Sequence, residues 1–207
     1  MTPPLEEFQI YLPKYLSAEA QKVLFSSLEQ FPENIDSRIY TNYLENEENF
    51  LQGDGIKEIL AIDLPSMRTK TIRAIIISNS CDICPDNERY IPHNVLYAPI
   101  IELDSYSRML ENKKLSMQRI SSHLTDIRKQ RISNIFYLPN KSSILPESIV
   151  FLDRINNYDI NFFRNRWKEL RLFTLSDYGF YLFIYKLSIH FTRMREGIER
   201  RTGMGRP

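Results

Sequence analysis

Both cysteines of the chain sit in one tetrapeptide, Cys81-Asp82-Ile83-Cys84, at C-x-x-C spacing. Three chemistries use that spacing. A zinc half-site needs two further ligands, and the donors closest in sequence are Asp82, Asp86 and His93. A redox pair wants a helix N-terminus in a βαβ setting, which the flanking sequence lacks. A thiolate nucleophile at Cys81 wants a neighbouring base, and His93 and His123 are the nearest imidazoles. Against these stands a plainer role. A cysteine ending an Ile-Ile-Ile run is a small buried hydrophobe, with Asp82 closing the following turn. That is the expectation here, with no metal and no cofactor. The run Ser78-Asn79-Ser80-Cys81-Asp82 also stacks polar groups at a strand mouth, so Asn79, Cys81 and Asp82 are expected ligand contacts.

A second cluster joins cations to aromatic rings: Phe162-Phe163-Arg164-Asn165-Arg166-Trp167-Lys168, followed by Arg171. Guanidinium groups beside aromatic faces suit single-stranded nucleic acid, through phosphate contacts and base stacking. Arg164, Arg166, Trp167, Lys168 and Arg171 are therefore the expected nucleic-acid contacts. Arg193, Arg195, Arg200, Arg201 and Arg206 would extend the field. The competing reading places the rings in the core and the arginines on an outer face. Gly53-Asp54-Gly55 reads as a turn, glycine supplying positive φ and Asp54 bonding nearby backbone.

Charge is uneven along the chain. Residues 1–63 hold 4 basic and 12 acidic side chains, whereas residues 164–207 hold 10 and 4, although the whole chain carries only +1. An acidic front and a basic rear fit an anionic partner for the rear, or pairing between the two. A hydrophobic content of 43% supports a packed core. Met1–Ile10 lacks the basic start and apolar stretch of a secretory leader. Phe180–Phe191 is the most apolar window, but it holds Lys186 and His190 and falls short of the roughly twenty residues a bilayer crossing needs. A cytoplasmic protein with no membrane contact is expected.

The elements that must position these residues follow from periodicity and breakers. An aromatic, proline-bearing arm precedes a helix over 17–30, which Phe31-Pro32 ends. Residues 36–43 alternate weakly as a strand, and Glu45–Asn49 reads as a solvated linker. Short β-rich runs at 56–64, 73–78 and 94–103 are separated by turns at 65–70 and 84–92. A single long helix is expected over 105–131, which no Pro or Gly interrupts. Strands at 134–138 and 148–152 precede an ambiguous stretch, 167–173, and Ser176 caps a last helix to about residue 195.

One order of words stands out. Gln52-Gly53-Asp54 opens a strand, Arg73-Ala74-Ile75-Ile76-Ile77-Ser78-Asn79-Ser80 follows, and Tyr97-Ala98-Pro99-Ile100-Ile101 comes third. This resembles the small SH3-like barrel of the MazF/PemK toxins, whose strands carry Gly-Asp-Ile, Arg-Pro-apolar-Ser-Asn and Ala-Pro-Ile/Leu-Thr in that order. The resemblance implies an α+β fold: an SH3-like β-barrel over residues 51–153 with helix 105–131 inserted, an N-terminal arm and helix at 1–50, and a basic helical extension at 154–207. It also implies a metal-independent endoribonuclease in a stress or phage-defence setting. Arg73 would face the scissile phosphate, where a guanidinium offers several fixed donors and a permanent charge to the growing negative charge. The toxins place a hydroxyl after Pro-Ile/Leu, but here that position is Ile101, so Ser78 or Ser80 must supply it. Implied partners are RNA, an antitoxin and a second copy of the chain. The alternative is a catalytically empty barrel serving as an interaction module for a larger effector such as an ATPase.

Overall fold

Alternating burial organises the molecule around one antiparallel sheet. The computed structural model describes residues 17–87 and 89–192; the expected arm over 1–16 and the basic tail beyond Thr192 lie outside the described residues. Helix α1 (Ala18–Glu29) leads to a 3-10 turn at Ser37–Ile39 and a two-residue strand β1 (Tyr40–Thr41), so the expected strand over 36–43 is mostly turn. The Asp36 carboxylate accepts from the Arg38 amide there, which favours the turn over an extended ladder. Strands β2 (Gly55–Asp63), β3 (Arg68–Ile76) and β4 (Asn94–Glu102) then run as an antiparallel meander. A short helix α2 (Ser80–Ile83) lies between the last two.

The expected helix over 105–131 is two helices, α3 (Leu103–Asn112) and α4 (Met117–Arg128). Lys114 turns into the left-handed region at φ 59°, and the Ser116 hydroxyl accepts from the Arg119 amide to start a new helix. Strands β5 (Ile135–Leu138), β6 (Ser148–Phe151) and β7 (Asn156–Asp159) follow. The ambiguous stretch resolves as a one-turn helix α5 (Trp167–Leu170) running into β8 (Arg171–Leu175). Ser176 caps the last helix, α6 (Asp177–Thr192), by accepting from the Gly179 amide. No helix among the described residues is long and apolar enough to cross a membrane.

The strand path is β1-β8-β2-β3-β4-β6-β5, with β7 on β4. The fold is α+β, and the sheet is not closed into a barrel, because no ladder joins the terminal strands β1 and β5. Side chains nonetheless bring those ends together. The Tyr40 hydroxyl donates to the Pro139 carbonyl at 2.7 Å, and the Lys141 ammonium to Asn42 at 3.2 Å.

The two-residue period of the strands splits the core between faces. Ile75, Ala98, Phe136, Val150 and Phe173 pack with Phe183 of α6 and Leu24 of α1. Ala74, Ile76, Val95 and Tyr97 point the other way, toward Phe50, Phe163 and Leu170. On the β5–β6 part of that side, α3 and α4 bury Leu103, Tyr106, Ile120 and Ile127 against Ile135 and Ile149.

Gly179 lets α6 approach the Ser37–Ile39 turn: a Cβ there would overlap the Ile39 carbonyl oxygen. A Gly→Ala change in an open helix gains up to about 1 kcal/mol. Gly179→Ala should instead lose about 1–3 kcal/mol through overpacking, read by urea denaturation. A gain would show that α6 shifts freely.

Candidate functional site

Where β3 ends, side-chain bonds join the last backbone bonds from Ile77 and Ser78 to the Leu96 carbonyl. The Ser78 hydroxyl accepts from the Leu96 amide at 2.8 Å, and the Ser80 hydroxyl from the Gln52 amide at 2.9 Å. Asn79 caps α2 by accepting from the Cys81 amide at 2.9 Å. Asp82 pairs with Arg89 at 2.6 Å across the following loop, and the Asn87 amide donates to the Cys81 carbonyl at 2.8 Å. The polar cluster is thus a set of fasteners that holds the 81–93 loop against the sheet.

The three residues expected to form a catalytic group stand apart along β3 and beyond it. Arg73 lies within β3 opposite Ile100, and its guanidinium meets the exposed Glu102 at 3.4 Å. Ser78 is five residues further along, about 16 Å at about 3.3 Å per strand residue. Arg73 is therefore not gathered with Ser78 and Ser80, and both hydroxyls already accept backbone amides. Cys81 is exposed and Cys84 half-buried, so the expectation of a buried hydrophobe at 81 is also corrected. Among the described residues the pair finds no third metal-ligating neighbour.

The second cluster divides by role. Arg166 forks onto Glu169 at 2.7 and 3.0 Å and lies 4.1 Å from the Phe162 ring centre. Its hydrogen bonds hold the Glu169 carboxyl below the usual range. Lys168 stands 5.0 Å over the Trp167 ring. Arg164 is exposed and makes none of the ion pairs among the described residues.

Arg171 is the clearest correction. Expected to meet nucleic acid, its side chain is only 8% exposed and forms an ion pair at 2.9 Å with Asp54, which is fully buried. Its other donors reach the carbonyls of Glu47 and Asn49. The supposed solvated linker at 45–49 is thereby clamped to the sheet. Burial pushes the Asp54 carboxyl up, and the Arg171 guanidinium opposes that shift. The same guanidinium sits 5.5 Å from the ring centres of both Phe50 and Trp167.

A cavity of about 650 Å³ opens where these segments meet. Phe50, Phe163 and Trp167 give it aromatic walls, Arg89 and Arg164 its cations, and Glu48 and Asp82 its acids. Asn49, Asn87 and Asn165 add amide edges, and Cys84 and His93 also line it. His93 Nε2 is buried with no hydrogen-bond partner. Asn165 adopts φ 58°, a conformation asparagine tolerates, which turns the chain between Phe163 and α5. Aromatic faces, amides and a free guanidinium in one concavity suit a planar, hydrogen-bonding ligand with an anionic group.

Of the residues named from sequence, Asp82, Cys84, His93, Phe163, Arg164, Asn165 and Trp167 meet in this cavity. Glu48, Asn49, Phe50 and Arg89 join them from segments that carry no recognisable motif. Sequence marks Gly53-Asp54 only as a turn, and nothing in it shows that Asp54 is a buried acid facing a cation. Neither a protein-family model nor a curated protein matches the chain.

Proposed function

We propose that the chain is a diverged MazF/PemK-like protein that binds single-stranded RNA at the Trp167 cavity, without toxin-type cleavage at Arg73. The resemblance to that family rests on the three sequence words of β2, β3 and β4, which run consecutively and antiparallel; on this reading the sheet is an SH3-like barrel opened between β1 and β5. The observation that carries RNA binding is the meeting of Trp167, Phe50 and Phe163 with the unpaired Arg164 around one cavity. A base stacks on the half-buried Trp167 above a floor formed by the buried Phe50 and Phe163, and a free guanidinium takes a phosphate. The site holds as many acids as cations, so stacking and amide contacts lead and phosphate contributes little. Affinity should accordingly fall with salt at a logarithmic slope of about −1 or less, as for one or two phosphates.

Trp167 is the single tryptophan of the chain, so its fluorescence reports the site directly. A mixed-sequence 10-mer RNA should quench it without being cut. In anisotropy with labelled RNA, Trp167→Ala should cost about 1–3 kcal/mol, or roughly five- to 150-fold in Kd. Arg73→Ala should leave affinity unaltered. Absence of binding at high micromolar RNA would overturn the reading. So would RNA cleavage by the wild-type protein that Arg73→Ala abolishes.

A protein-interaction module is the second reading, favoured by the β2–β3 ribbon. Its outer half leaves the sheet and exposes Leu60, Ile62, Leu64 and Met67, the last two at 72% and 68%. An antitoxin or effector docking there would be lost in Leu64→Asp, and Trp167→Ala would not disturb it.

A further inference from the structure

A second cavity, of about 360 Å³, lies on the other side of Trp167. Its walls share cations, amides and an acid with the first, with Trp167 and the buried Phe173 as its rings. Lys141 and Lys168 supply cations, Asn42 and Asn46 amide groups, and Glu45 one acid. Trp167 lines both cavities, with Arg164 before it serving the first and Lys168 after it serving the second. The indole is therefore a ridge between two polar sites of unequal size.

The ridge is held from beneath. Arg171 stands 5.5 Å from the Trp167 ring while bonded to buried Asp54 and to the Glu47 and Asn49 carbonyls. Residues 45–49 lie between the cavities on the opposite wall: Glu48 and Asn49 face the first, Glu45 and Asn46 the second. A ring fixed in this way does not fold aside to merge the two spaces. Such a ridge would set one base of a nucleic-acid strand on each side, with the connecting sugar-phosphate passing over it between Arg164 and Lys168.

Resting on the RNA-binding reading above, we propose that the recognised unit is a dinucleotide step straddling Trp167, one base in the larger cavity and its neighbour in the smaller. The Lys168 ammonium, exposed on its flexible stem above the indole, is free to leave the ring for the bridging phosphate. Lys141 is held by Asn42 at 3.2 Å and lies 5.1 Å from the Tyr40 ring centre, which fixes a cation at the far wall of the second subsite.

The test is a length series read by Trp167 fluorescence in the full chain: adenosine 5′-monophosphate, the 5′-phosphorylated dinucleotide pApA, the trinucleotide pApApA and an adenosine 20-mer. Expected are at least tenfold tighter binding of pApA than of the monophosphate, and no more than a twofold further gain for pApApA. Lys141→Gln should bring the dinucleotide-to-mononucleotide ratio close to one, as should Asn46→Ala, an exposed position whose replacement leaves the core untouched. If pApA binds within twofold of the monophosphate, the two-base unit is overturned while the cavity remains a nucleotide site. Equal gains at each added nucleotide would also overturn it, because two bounded subsites saturate. If no member of the series binds, including the 20-mer, the RNA reading itself falls and this proposal with it.

Discussion

Arg171→Met should destabilise the fold by about 3–5 kcal/mol, the usual cost of leaving one member of a buried ion pair alone. Asp54 has no solvent exposure, so no water replaces the lost guanidinium. The Leu51 amide would remain a donor to the carboxylate at 2.9 Å, but the compensating charge would be gone. The Glu47 and Asn49 carbonyls would lose a common donor at the same time, releasing residues 45–49 from β8. Urea denaturation measures the loss. Adding Asp54→Asn to Arg171→Met should cost less than the sum of the single changes, since the double variant buries no unpaired charge. A loss below 1 kcal/mol in Arg171→Met would show that the pair does not hold this corner of the sheet. The cavity is coupled to the pair, so nucleotide quenching of Trp167 should weaken in this variant even at temperatures where it stays folded.

Stability should rise between pH 8 and about pH 10, and Lys186 is the reason. It is 4% exposed in α6 and donates to the carbonyls of Gln130 at 2.8 Å and Ile132. Burial pushes its ammonium down to about 8 from an ordinary 10.5. Below pH 8 both folded and unfolded chains are protonated, and the full cost of burying the charge is present. Between 8 and 10.5 the unfolded chain binds more protons, so stability climbs with pH. At about 1.4 kcal/mol per unit, the gap between 10.5 and 8 makes a rise of about 3 kcal/mol.

Buried tyrosines bend the curve back. Tyr97 and Tyr178 are pushed up to about 12 by burial, and Tyr40 and Tyr137 upward as well. Above pH 10 the unfolded chain loses these phenolic protons first, so their contribution drains away as pH increases further. A maximum near pH 10 results. Lys186→Met removes the rise and keeps the alkaline fall. Denaturation midpoints across pH 7–11 decide the matter. A wild-type curve without the rise would mean that the two carbonyls stabilise the ammonium enough to cancel its burial.

Much of the framework could be read without coordinates. Strand β4 falls where the Asn94–Leu103 run predicts it, and β3 overlaps the Arg73–Ser78 run, although it starts at Arg68 within the expected turn. Both are legible because β-branched and aromatic side chains alternate between two buried faces, a property of adjacent residues. Phe31-Pro32 stops α1 and Ser176 starts α6 through contacts within four residues. The break between α3 and α4 escaped sequence reading, because Lys114 adopts a left-handed conformation that only a neighbouring Ser116 cap hints at. The site was half legible. Trp167 and Arg164 announce themselves as an aromatic–cation cluster, but nothing local separates Arg164, which stays free, from Arg171, which is buried.

What the sequence by itself determined, then, is the central strands, the first and last helices and the cluster rich in rings and cations. Tertiary structure decided which charges are spent on the fold and which remain for a ligand. Arg171 meets Asp54 across 117 residues, and Arg73 turns to Glu102 rather than to a serine hydroxyl. Local preference acts over a few residues. Exclusion of water acts on whatever the packed sheet brings together, and that is set only when β8 lies beside β2.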